Sequence, residues 1–578
     1  MPERDHGRGR TPRWVLVWVL TMAAVITAPV WSQPGFVLTH DCVAVPGQDL
    51  LPWMWGAGGA PPRSVPQDAI VAVLDDVVPG HLLQRAMIVG SLILLGTGVA
   101  GLLRVRPAFD QAAAATVAMW SAYVFQRSVM GHWGLLIGLA SLPWVLSAAQ
   151  DVRVGQGAGL GRLAGWTVLG SLVPTAGALQ AGAATVVLGW PRPPSRWRAV
   201  RGVVVVLLVQ LVWVVPGLGN PGVPSQAAAE AFGARGEGAA GPLLTILGTA
   251  GIWNAAATAP SRAGPMSVIA PLVLVGLAAL GLWRLRSVPG PIVAALAVLS
   301  AAGLTWALAS ALTPMTGLVV HLESLPGGGL LRDAQKWLAP WVVLLSLAAG
   351  AGLGRIRERA RGSDGEWPVG VLLLAVPLLL LPDAAFGAMG RIQPVTYPEV
   401  WERVRTALLQ APDSGDVVSL PWSAMRAYDW NEHRTVLDPA PRYLPRPVVT
   451  DSRLLVAEPD GLVVIPPDDP HSVAVAEALL APDVPRALRD LGVGWVLWQE
   501  GQQATPGFPA ELPESVREAS ALVVDSPGLS LYRLDGAVEP VRQPAAWLAL
   551  GWIAWLLAVA AALGGIVQRA RRSTARRG

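Results

Sequence analysis

The sequence predicts an α-helical polytopic membrane protein of about twelve transmembrane helices, with a C-terminal α/β domain outside the membrane. Three observations predict it. The chain of 578 residues is 53% hydrophobic and 14% charged, with a mean hydropathy of +0.47, which is a membrane composition. Apolar runs of about 17–22 residues recur, each long enough for a hydrocarbon core about 30 Å thick. The charge is also split: residues 383–543 hold 23 acidic and 13 basic side chains, while the remainder is strongly basic. Arginines at the inner membrane edges and an acidic domain on the other side satisfy the positive-inside rule.

In order, Met1–Arg13 carries four arginines and is expected in the cytoplasm, followed by a first span, Trp14–Trp31, that is read as uncleaved. A long outer loop, 32–81, leads to spans at Ala86–Leu103 and Ala108–Phe125, joined inside by Arg104 and Arg106. A tight outer turn, Gln126–Trp133, opens the fourth span, which runs to Ala149. Leu163–Trp190 has basic flanks on both sides and is broken by Pro174 and Gly177, so it reads as two short spans or as a re-entrant hairpin. Further spans are expected at Val203–Leu218, Met266–Trp283, Pro291–Leu312, from Trp337 to the arginines at 355–361, and at Trp367–Leu381. The outer domain, 383–543, mixes strand patterns at Asp416–Pro421, Gly461–Ile465, Val493–Trp498 and Leu529–Leu534 with helical ones at Ser472–Leu480 and Val484–Leu491. The segment 544–578 holds the last span, Trp547–Ile566, and a basic tail. Both termini are therefore expected in the cytoplasm.

Lys336 is the only lysine beside 42 arginines. Arginine replaces lysine wherever a surface cation suffices, so the retained lysine marks a place where a compact charge suits the task, such as meeting a phosphate. It follows Gly327, Gly328 and Gly329, which allow close backbone approach, and a helix start, whose free N–H groups attract anions. Arg332 lies four residues earlier, so on one helix the two cations would share a face and meet one phosphate. Asp333 between them would balance the helix N-terminus.

The spans contain few ionisable groups, which argues against an ion-coupled transporter. Charged groups gather in the outer loops instead, where an enzyme acting on a lipid-linked substrate needs them. Asp41 and Asp49 follow the first span, and either could take a proton or bind a cation. The adjacent pair Asp75 and Asp76 reads as a solvated turn. Arg127 and His132 flank the outer turn and could hold phosphate or reach for the interface. Trp53, Trp55 and Trp133 suit an interfacial belt. One cysteine, Cys42, excludes an internal disulfide, and seven scattered histidines without Cys/His pairing support no metal site.

The layout resembles the GT-C superfamily of membrane glycosyltransferases. So do the turn from Tyr123 to Gly134 (YVFQRSVMGHWG) and the outer-domain segments Leu491–Leu497 (LGVGWVL) and Leu529–Leu534 (LSLYRL), which are similar to an uncharacterised bacterial branch of that group. The resemblance implies a polyprenyl-phosphate sugar donor, a glycan or lipid acceptor of the cell envelope, and a plasma-membrane location. It implies Asp41 or Asp49 as catalytic base and Arg332, Lys336, Arg127 and His132 around the donor phosphate. No cofactor is assigned, a divalent cation stays an open alternative, and no nucleic acid is expected. The first loop lacks the clean paired acidic motif of the family, which keeps a second reading alive: a non-catalytic scaffold or a transporter of lipid-linked glycans.

Overall fold

The computed structural model describes residues 11–538 and 546–574, except 157, 192, 221–224, 326, 363–364, 413–414 and 459–460. Most of the expected cytoplasmic leader, parts of the loops at 219–265 and 361–366, and the boundary at 543–544 lie outside the described residues.

The hydrophobic helices, in chain order, are α1 (Arg13–Thr27), α2 (Gly80–Leu102), α3 (Ala108–Met119), α4 (Trp133–Val154), α5 (Gly159–Gly170), α6 (Pro174–Gly189), α7 (Arg196–Gly219), α8 (Met266–Gly281), α9 (Gly290–Ser310), α10 (Ala339–Arg357), α11 (Glu366–Leu380) and α12 (Ala549–Thr574). Among the described residues, 8 helical segments are long and apolar enough to cross a membrane, or 9 if α11 and the bent piece after it count as one. The expected count of twelve is not reached on length, because α3 and α5 have 12 residues each and α6 has 16.

Local chemistry explains two of these breaks. The expected span 108–125 stops at Met119, and Ser121 then caps a new short helix, Ala122–Val129, by accepting the Val124 N–H at 3.3 Å. The expected turn 126–133 is correspondingly shorter. Arg127 sits in the last turn of that helix, and the chain reverses at Met130–His132, where Gly131 has φ +73°. Between α5 and α6 the chain breaks at residues 171–173 and restarts on Pro174, the helix position that needs no N–H donor.

Helix α10 lies at the centre, with 89% of its most apolar stretch buried, against 17% for peripheral α12. It packs on α3, α8 and α9. Small residues set that closeness: a methyl group on Gly350 or Gly352 would overlap the backbone of Ala114 or Leu277.

The C-terminal domain is built on a mixed sheet of β1 (Asp416–Leu420), β2 (Val448–Val449), β3 (Val493–Trp498), β4 (Ser520–Val524) and β5 (Ser530–Leu534), in the order β4-β5-β3-β1-β2. Strand β1 runs parallel to β2 and β3, and β5 runs antiparallel to β3 and β4. Alternation along the strands sends Val417 and Trp495 toward helix Glu399–Gln410, and Val418 and Val496 toward helices Pro470–Ala478 and Val484–Asp490. The expected strand Gly461–Ile465 exists but belongs to a separate hairpin with Leu454–Glu458. Val456 and Ile465 of that hairpin join the hydrophobic core of the bundle instead of the sheet domain's own core.

The loop after α1 is gripped by this domain. Phe36–Val37 pairs with Pro394–Val395, and His40 exchanges backbone hydrogen bonds with Thr435 (2.6 Å) and Leu437 (2.8 Å). Residue 41 is thereby held at the junction between bundle and sheet domain.

Candidate active site

Three segments converge at that junction. The loop of Asp41 is fixed on one side by Thr435 and Leu437 and on the other by its own N–H, which donates to Met130 O at 3.1 Å. A side chain at residue 131 would overlap the Cys42 backbone, so Gly131 is required both for its left-handed φ and for this approach. The second segment is helix Ala122–Val129 with the turn after it, which supplies Arg127 and His132. The third is the entry to α10, where Asp333 takes a left-handed conformation (φ 57°, ψ 69°) before a 3₁₀ turn, Ala334–Leu338, that carries Lys336. Left-handed residues outside glycine carry strain, and His40 (φ 46°) and Asp333 both flank this point.

The three segments are joined by one row of charged and polar groups. Asp41 Oδ2 lies 2.9 Å from His132 Nε2, and His132 Nδ1 lies 2.9 Å from Arg127 Nη1. Arg127 grips Asp333 with both arms, at 2.5 and 2.7 Å. Lys336 Nζ stands 3.7 Å from Asp333 Oδ2. The middle is sealed and the ends are open: side-chain exposure is 0% for Arg127 and 5% for Asp333, but 29% for Lys336 and 49% for Asp41.

The electrostatics follow the contacts. Burial alone would raise the Asp333 carboxyl, yet the charges of Arg127 and Lys336 hold it down at about 2. Asp41 likewise lies below the usual carboxylate range, because the His132 hydrogen bond and the nearby Lys336 outweigh the desolvation at its inner side. Both groups are therefore carboxylates at neutral pH. The row ends in an accessible anion, Asp41, and an accessible cation, Lys336.

Beneath it runs a second row, of two glutamines and a glutamate, that the sequence did not reveal. Gln335 Nε2 donates to Gln126 Oε1 (2.7 Å) and Thr249 O (3.2 Å), and Gln126 donates in turn to Glu237. The glutamines immediately before Arg127 and Lys336 thus pin the two segments together. Their adjacency to the charged residues is the only sequence signal for them.

The structure brings together Asp41, Arg127, His132 and Lys336, and leaves Asp49 and Arg332 elsewhere. Asp49 pairs with Arg405 of the sheet domain at 2.6 Å. Arg332 faces Glu323 (3.7 Å) and Asp468 (3.6 Å), the latter shared with Arg63. The expected helical face of Arg332 and Lys336 does not form, because the left-handed turn at Asp333 separates them. Arg127, expected at a donor phosphate, exposes nothing to meet one, and both ring nitrogens of His132 are engaged. Asp333, expected to balance a helix end, is the hub of the row instead. Among the described residues no three His, Cys, Asp or Glu side chains gather as a metal-holding group. The described residues of the row also fit a resident divalent cation poorly, since Arg127 occupies both oxygens of Asp333 and His132 occupies one of the two on Asp41.

No family model and no curated protein matches the chain. Among solved structures it is similar to the arabinofuranosyltransferase AftD from Mycobacteria, determined by cryo-EM, with a TM-score of 0.57 and 16% identity over 91% of this chain and 40% of that one. A mutant form of the same enzyme gives a TM-score of 0.55 and 15% identity over 92% of this chain and 42% of that one. At this identity the likeness is one of fold, and the chain spans about two-fifths of the length of those proteins.

Proposed function

We propose that the chain is a membrane glycosyltransferase of the GT-C type. It moves a sugar from a polyprenyl-phosphate donor to a glycan or lipid acceptor of the cell envelope at the outer face of the plasma membrane. The observation that carries this reading is the row from Asp41 to Lys336. It offers an accessible carboxylate and an accessible ammonium at one junction, on a fold shared with a glycosyltransferase. The arginines 104, 106, 284, 355 and 357 gather at the far end of α3 and α10, so the positive-inside rule supports an outward-facing junction. The name of the structural neighbours makes a pentofuranosyl donor the first to test.

In the reaction, the Asp41 carboxylate takes the proton of an acceptor hydroxyl. That oxygen attacks the anomeric carbon and forms the new glycosidic bond. The bond from that carbon to the phosphate oxygen breaks, and polyprenyl phosphate leaves with the electron pair. Lys336 meets the charge that develops on it. A single displacement of this kind inverts the anomeric centre. No step is routed through a metal.

The test is release of polyprenyl phosphate from a polyprenyl-phosphoryl arabinofuranose by purified protein in nanodiscs. Asp41→Asn is expected to lower turnover by about 10²-fold or more. Lys336→Ala is expected to raise the KM for donor, and Lys336→Arg to raise it less, because arginine keeps the charge but not its shape. Wild-type rates in both Asp41→Asn and Lys336→Ala would replace this reading with the scaffold or transporter of lipid-linked glycans.

A further inference from the structure

The contact between Arg127 and His132 fixes more than a position. A guanidinium has N–H donors and no acceptor, so the imidazole nitrogen 2.9 Å from Arg127 Nη1 must present a lone pair. That nitrogen is Nδ1. The imidazole proton then sits on Nε2 and is donated to Asp41 Oδ2 at 2.9 Å. A doubly protonated ring would turn an N–H against the guanidinium. Arg127 cannot rotate away, because Asp333 holds both of its arms in a site closed to water. We propose that Arg127 and Asp333 are positioning residues that lock His132 as the neutral imidazole protonated on Nε2, able to donate to Asp41 but not to take a proton from it.

Among the described residues, the charged neighbours of the ring come from three segments. From the loop after α1 it meets Asp41 and, beyond it, His40. From helix Ala122–Val129 it meets Arg127. From the entry to α10 it meets Asp333, with Lys336 behind. Only the two carboxylates favour a charged ring. Burial, and then the charge of Arg127, prevail against them and keep the imidazole below its ordinary range. The consequence for the reaction is specific. One Asp41 oxygen is held by a donor that does not change with pH, and the carboxylate stays a base across the whole physiological range.

The inference about catalysis rests on the reading of Asp41 as base, but the lock itself does not, and the two are tested separately. ¹⁵N-histidine labelling of the full chain gives seven imidazoles, and loss of a signal in His132→Gln assigns the one in question. In wild type, His132 is expected to show an unprotonated Nδ1 and a protonated Nε2 from about pH 8 to about pH 5.5. In Arg127→Met/Asp333→Asn, which removes the buried pair together, the ring is expected to titrate at or above about 6.5, since Asp41 now favours the cation. Sugar transfer by that variant should fall about tenfold or more between about pH 8 and pH 5.5, while the wild-type rate changes less than about threefold, because an imidazolium beside Asp41 weakens the base. Titration of His132 in wild type, or a proton on its Nδ1, would overturn the lock, and the wild-type spectrum decides this even where the double variant does not fold. A flat pH profile in a folded double variant would overturn the positioning role while leaving Asp41 as base. Full activity of Asp41→Asn would remove the base while leaving the spectra to judge the lock.

Discussion

Two arginine–carboxylate pairs meet on the segment that leads into α10, and they behave in opposite ways. Arg127 and Asp333 make a two-armed bond at 2.5 and 2.7 Å, and the carboxyl is driven down to about 2. Arg332 Nε stands 3.7 Å from Glu323 Oε2, a looser approach than either arm of the first pair, and burial prevails over the charge and hydrogen bonding of Arg332: the Glu323 carboxyl is pushed up to about 7. Both carboxylates are almost fully buried, at 5% and 2% side-chain exposure, so depth does not separate them. Geometry does. Two short charge-assisted bonds repay the desolvation of an ion, and a loose contact between the same two groups does not. The first pair serves the row that joins Asp41 to Lys336. The second lies beside it and leaves its acid half-neutral near pH 7.

The largest expected effect comes from breaking the tight pair on one side. Asp333→Ala leaves the Arg127 guanidinium buried without its counter-ion, at a cost of about 3–5 kcal/mol. Thermal unfolding in detergent should show a large fall in midpoint, or the protein should fail to accumulate. An Asp333→Ala protein as stable as wild type would show that the pair contributes no more than the loose one.

The loose pair predicts a smaller effect with a definite sign. Glu323 has a folded value near 7 against an ordinary 4.5. Its contribution is favourable below about pH 4.5 and is lost as pH rises to about 7, because the folded protein must hold a proton that the unfolded chain releases. The loss is on the order of 3 kcal/mol at pH 8. Glu323→Gln should therefore raise the unfolding midpoint at pH 8 and leave it nearly unchanged at pH 4.5. Asp333 works in the opposite direction, and its contribution fades only as pH falls from about 4 toward 2. Destabilisation by Glu323→Gln at pH 8 would mean that Arg332 holds a charged Glu323 tightly, and the contrast between the pairs would vanish.

Much of this was legible from the chain alone. The lone lysine, the arginine and histidine of the segment 126–133, and one of the two loop acids were all singled out by residue type and position, and four of them come together. The helices α1, α2, α4, α7, α8, α9, α10 and α12 follow the apolar runs closely. Hidden features depended on distant parts of the chain. Nothing near Asp333 shows that its φ is positive, and that single angle separates Arg332 from Lys336. Trp120, where the expected third span breaks, donates its indole N–H to Leu381 O at 2.7 Å, a partner far along the chain. The Gln126–Gln335 bond likewise joins residues more than two hundred positions apart. Local periodicity carries no record of such pairings.

The choice between Asp41 and Asp49 shows the same lesson and gives the smallest predicted effect. In sequence the two acids are close relatives: both follow the first span, and Pro46, Gly47 and Pro52 favour a fixed loop around Asp49. The fold separates them because different parts of the sheet domain claim each. Asp41 is presented to His132 by the strand at Val436–Leu437. Asp49 is drawn to Arg405 on helix Glu399–Gln410, which also donates to Tyr443 O at 2.9 Å. A half-exposed ion pair of this kind is worth about 1 kcal/mol or less. Asp49→Asn should shift the unfolding midpoint only slightly and keep sugar transfer within about threefold of wild type, against the hundredfold scale expected at Asp41. The comparison is sharpest with both variants assayed side by side on one donor. A collapse of transfer in Asp49→Asn with a spared Asp41→Asn would move the base to the Arg405 side of the loop and detach it from the row that ends at Lys336.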